Sequence, residues 1–100
     1  MASAHLQAVG DQVVVIRAEG DFDLATSRTL ANALEDAAAS GRDIVLDLAS
    51  AAFLDVFCLR LVLATQSRLR DAGRTVVVTN APPVVQRLVD VLHISDLMAI

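Results

Sequence analysis

A chain of 100 residues with a formal net charge of −4 and 55% hydrophobic residues amounts to one domain, 1–100, with enough apolar mass to bury a core and fold alone. Its basic residues are eight scattered arginines, with no lysine, so it lacks the concentrated positive footprint that phosphate backbones demand, and nucleic-acid binding is excluded. The single cysteine forms no internal disulfide, and no apolar run resembles a secretory leader or approaches the ~20 residues of a spanning helix, which predicts a cytoplasmic protein without membrane insertion.

In chain order, LQAV and QVVVIRAE flank the turn-forming pair Gly10-Asp11, which predicts an opening hairpin whose second strand is central. The segment DLATSRTLANALEDAAASG changes period: Leu30, Leu34 and Ala37 or Ala38 fall on one helical stripe, Asp23 or Thr26 can cap its start, and Gly41 stops it. IVLDL is a short strand. The run FLDVFCL then sets Asp55 at a strand-to-helix junction, and residues 56–72 read as a helix ending at Gly73.

Placed at about 100° per residue with Val62 at zero, Leu69, Cys58 and Leu59 lie within about 60° and form the buried stripe. Val56 and Phe57 fall about 120° and 140° away on opposite sides, off the packing face. TVVVT is the next strand. Pro82 and Pro83 suit the first turn of a third helix, with Asn80 or Ala81 as its cap and Val85, Leu88, Val89 and Leu92 facing inward. LMAI closes the chain as a short strand. The order β-β-α-β-α-β-α-β predicts an α/β fold: a mixed sheet with helices packed on it, its helix-separated strands parallel.

Several separated stretches resemble the STAS domain of bacterial anti-sigma factor antagonists over roughly residues 6–100. GDFD, Gly20 to Asp23, is similar to that family's signature before its first helix, and IVLDLASAAFLD to its strand and loop ending in Asp. GRTVVVTNAPPVVQRLVDVLHISDLMAI is similar to its later strand, Pro-containing turn, third helix and final strand. The resemblance implies a non-enzymatic, protein-binding regulator without a cofactor, whose partner is a kinase-type anti-sigma factor or a relative. In that family two hydroxyl residues and a Gly usually follow the Asp, and the partner kinase phosphorylates the second hydroxyl. Here Val56, Phe57 and Cys58 follow Asp55, so Phe57 occupies the phosphoacceptor-equivalent position and offers no oxygen for a phosphoryl group.

The partner-contact residues implied are Asp23, Ser50, Asp55, Val56, Phe57, Cys58 and Arg60. Ser50, in the loop before the motif, reads either as a displaced phosphoacceptor or as an ordinary turn residue. An acidic metal pocket of Asp21, Asp23 and Asp55 would also need a lysine, so these residues read as caps and turns. Cys58 reads as a small core residue, and His5 and His93 show no metal-ligand spacing. Two functions follow: a partner-switching regulator that is not phosphorylated at the usual place, or a STAS subunit that docks on and regulates an ABC-type transporter ATPase. The Val56/Phe57 patch serves partner contact, homodimerisation or packing on a neighbouring loop.

Overall fold

β1 (Ser3–Val9) and β2 (Val13–Phe22) form the expected antiparallel hairpin, closed by residues 10–12, in the computed structural model, which describes residues 1–98. Gly10 in that turn has φ of +64°, a left-handed conformation that costs glycine nothing and other residues a clash with Cβ. β2 pairs in parallel with β3 (Asp43–Leu54), and β3 with β4 (Val76–Thr79), giving the order β1-β2-β3-β4 with β2 internal. Parallel neighbours need crossovers, and α1 (Ser27–Ala39) and α2 (Val56–Asp71) supply them. A 3₁₀ turn (Leu24–Thr26) precedes α1, and α3 (Pro83–Val91) follows β4.

Alternation decides which sheet face is buried. Val14, Ile16 and Ala18 of β2, Ile44, Leu46 and Leu48 of β3, and Val76 and Val78 of β4 are all buried. Leu30, Ala33, Leu34 and Ala37 of α1 and Cys58, Leu59, Val62 and Leu69 of α2 close over them. Each fully buried Leu or Ile contributes about 1.5–3 kcal/mol by leaving water, so the stripes set by the 3.6-residue period hold the helices to the sheet.

Four expectations are corrected. β3 does not stop at Leu48 but runs on to Leu54, with register shifts between Arg17 and Glu19 and between Gly20 and Asp21 on β2 keeping it paired. The α3 cap is Pro82, with no side-chain cap bond, because Asn80 takes φ of +57° in the turn before it. Leu92 is 42% exposed, while Val85 and Val89 carry the inner face. The closing strand is reduced to one parallel bridge, Val78 to Met98, after a 3₁₀ turn (Ser95–Leu97) buries Leu97; the rest of that expected strand lies outside the described residues.

Candidate functional site

Because β2 and β3 are parallel, their carboxyl ends lie side by side, with Phe22 opposite Leu54. Both side chains are buried, and each is followed by an Asp that opens a helical segment. Asp23 caps the 3₁₀ turn: its Oδ1 accepts from the Thr26 N–H at 3.1 Å, and Thr26 Oγ1 accepts from the Asp23 N–H at 3.0 Å. Asp55 caps α2, its Oδ1 accepting from the Cys58 N–H at 2.9 Å. The Asp55 N–H in turn donates to the Phe22 carbonyl at 3.0 Å, so the end of β2 fixes where α2 begins.

Removing that cap should be measurable. Asp55→Ala is expected to lower stability by about 0.5–2 kcal/mol, since a helix N–H loses its acceptor. Chemical denaturation checks it, and an unmoved midpoint would mean that Asp55 does not hold the helix start.

Cys58 is buried, as its reading as a small core residue expects, and is not on the exposed rim where the partner-contact reading set it. Its side chain is fully buried and its thiol donates to the Asp23 carbonyl at 3.5 Å, tying the two helix starts together. Burial, then the charge and hydrogen bond of Asp55 and the charge of Asp23, push its pKa up to about 12. The thiol therefore stays protonated, a packing group with a weak donor.

Val56 and Phe57 do project from the first turn, 39% and 45% exposed, and they face opposite flanks of α2. Val56 lines a hollow of about 360 Å³ with Phe53, Val84, Leu88 and Val91, edged by Asp55 and Arg87. Phe57 lines a second, of about 350 Å³, with Leu24, Ala31 and Leu61, edged by Arg28. Arg60 is exposed one turn further along α2. The helix start is thus an apolar ridge between an apolar hollow on the Val56 side and a mixed one on the Phe57 side, which Ser27 also lines.

Ser50 is corrected as well. It lies within β3, opposite Glu19, and lines a separate hollow with Arg17, Glu19 and Asp47. It is four residues before Leu54, about 13 Å along a strand. Sequence reasoning missed Leu24, Phe53, Val84, Arg87 and Val91. On α3 the signal was present: Val84, Leu88 and Val91 are spaced i, i+4, i+7, a second apolar stripe beside the one that Val85 and Val89 bury.

Among the described residues no group of three His, Cys, Asp or Glu could hold a metal ion, and no helix is long and apolar enough to cross a membrane. The family model described as the MlaB STAS domain matches residues 5–99. The chain belongs to the STAS domain family. Its fold is that of the anti-sigma factor antagonists. An antagonist from Mycobacterium paratuberculosis superposes with a TM-score of 0.87 at 20% identity, over 98% of this chain and 83% of that one. The phosphorylated form of SpoIIAA, the Bacillus cell fate determinant, gives 0.78 at 20% identity, over 97% and 89%. The antagonist STAS domain from Rhodobacter sphaeroides gives 0.62 at 16% identity, over 99% and 97%. No curated protein matches in sequence. At these identities the likeness is one of fold.

Proposed function

We propose that this STAS domain is a non-enzymatic docking module of a partner-switching pathway in the cytoplasm, engaging a kinase-type anti-sigma factor or a relative of one. One observation carries the reading: the α2 start presents exposed Val56 and Phe57, Val56 beside an apolar hollow, and residues 53–59 contain no Ser, Thr or Tyr. A phosphate there would add nearly two negative charges and release a partner by repulsion and desolvation. With Phe57 in that place the contact has no such release, and the domain acts as a constitutive form. Asp55 and Asp23 serve the site by fixing the helix start, and Arg60 stands on its outer face.

A direct test is incubation with ATP and a kinase that modifies an ordinary antagonist of the family. No phosphate is expected in segment 53–59. Stoichiometric phosphate on Ser50, seen by peptide mass spectrometry, would mean that the switch has moved and the constitutive reading fails.

The same lack of a hydroxyl favours a second reading, in which the domain docks permanently on an ABC-type transporter ATPase. Apolar contact surface suits lasting assemblies, whose interfaces resemble cut cores. Affinity capture from native cytoplasm with mass spectrometry separates the two, since a transporter ATPase in the eluate would replace the first reading by the second.

A further inference from the structure

β2 has β1 on one side and β3 on the other, so the backbone groups along it alternate between the two neighbours. The Asp43 N–H donates to the Gln12 carbonyl at 2.8 Å, and the Ile44 N–H to the Thr75 carbonyl at 2.9 Å. This sets the phase. Val14 and Ile16 turn their N–H and C=O groups to β3, and Val13, Val15 and Arg17 turn theirs to their β1 partners Val9, Gln7 and His5. The backbone groups of Ala4, Leu6 and Ala8 therefore point outward, and among the described residues they have no partner.

The two edges of the sheet differ in how they meet a second strand. β4 is four residues long, and what it turns outward is engaged: the Val76 carbonyl accepts from Gln66 Nε2 at 3.2 Å, and Val78 is bridged to Met98. That edge is guarded. β1 is seven residues long, pairs with β2 without a register shift, and its sequence SAHLQAV holds no charged residue, proline or glycine. Those are the devices that turn a second strand away. Leu6 and Val9 on this edge are 40% and 53% exposed.

Symmetry decides what fits there. An antiparallel second copy centred on Leu6 sets Leu6 against Leu6 and each Ala4 against the other copy's Ala8, the only antiparallel register that engages every outward N–H and C=O of both strands. Leu6 lies opposite buried Ile16 on the helix side of the sheet, so the two leucines meet there between small alanines. On the other face His5 meets Gln7. Arg17 and Glu19, the β2 partners of His5 and Ser3, stand in rows that continue into Gln7 and Val15, and into Val9 and Val13, of the second copy. Neither charge meets its own likeness, as pairing within a chain of net charge −4 requires. We propose that β1 is a self-association edge, through which two copies join antiparallel about a two-fold axis at Leu6 and their sheets run on as one. No residue of β1 lines either hollow beside the α2 start, so the inference does not rest on the role of that rim, and the dimer presents two such rims at once.

Sedimentation equilibrium of the full chain, from micromolar to millimolar concentration, is expected to show a monomer and a dimer in exchange. Amide exchange over the same range should show the N–H groups of Ala4, Leu6 and Ala8 gaining protection as the dimer forms, while those of His5, Gln7 and Val9 are protected throughout. Leu6→Lys sets like charges against each other on the axis and should weaken the dimer at least about tenfold, with the melting temperature of the monomer kept. Leu6→Glu should do the same, and mixing the two folded variants should restore pairing. Ala8→Pro removes one outward N–H and none of the bonds to β2, so it carries the test if the charged variants do not fold. A monomer throughout, a dimer without protection of the three outward amides, a dimer indifferent to these substitutions, or mixed variants that stay apart would each overturn the proposal. So would a dimer abolished by Phe57→Ser or Val84→Glu, which would place self-association at the α2 rim.

Discussion

Phe22→Ala should lower the free energy of unfolding by about 3–5 kcal/mol, a large share of the roughly 5–15 kcal/mol that holds a domain together. Phe22 is fully buried, opposite Leu54 at the paired ends of β2 and β3. Truncation leaves a cavity whose walls are the strand ends and the helices closing over them, and a packed interior relaxes only partly into such a space. Its backbone also matters, since the Phe22 carbonyl accepts from the Asp55 N–H at 3.0 Å. A collapse of this corner would loosen the α2 start as well as the core. Urea denaturation of wild type and variant measures the effect. A loss below about 1 kcal/mol, the range of a surface change, would mean that Phe22 is not the packing anchor of the two strand ends.

Val56→Ser/Phe57→Ser should do the opposite: leave stability within about 1 kcal/mol of wild type and remove most of the partner affinity. The two side chains are 39% and 45% exposed, so only part of their apolar surface contributes to folding. At an interface an aromatic side chain pressed into a partner is worth about 2 kcal/mol or more, over tenfold in affinity. Calorimetric melting and binding to the captured partner, measured on one preparation, separate the terms. Unchanged stability with unchanged affinity would place the contact surface elsewhere. A large fall in melting temperature would make Phe57 a core residue. The same side-chain type folds the domain at position 22 and, on the proposed reading, serves recognition at position 57.

What the sequence by itself determined is whatever acts over a few residues. Period-2 alternation through Val14, Ile16 and Ala18 and the 3.6-residue stripe through Cys58, Leu59, Val62 and Leu69 declare strand and helix whatever surrounds them, since each side chain's direction follows from its own backbone. Gly10 and Asp55 act through their own dihedrals and hydrogen-bonding groups, so the hairpin and the α2 cap were legible. So was the divergence of Val56 and Phe57, a matter of angle on one helix. The resemblance carried by GDFD, FLD and the Pro-containing turn led to the fold for the same reason, since such short motifs sit at turns and caps.

Tertiary structure decided what depends on the neighbour. β3 extends to Leu54 because β2, its register shifted, continues to pair with it, and no local signal in SAAFL reports a partner strand. Ser50 accordingly became a strand residue away from the α2 start. The acceptor of the buried Cys58 thiol, the Asp23 carbonyl, is likewise supplied by a segment distant in sequence. Leu92 was exposed and Val84, Leu88 and Val91 brought beside Val56 by the way α3 rests on the sheet, a choice between two apolar stripes on one helix that its sequence leaves open. Burial is a property of pairs of elements, and which pairs meet is set by the fold as a whole. The ridge and its flanking hollows come from three segments distant in sequence, 24–31, 53–61 and 84–91, so only the packed chain could assemble them.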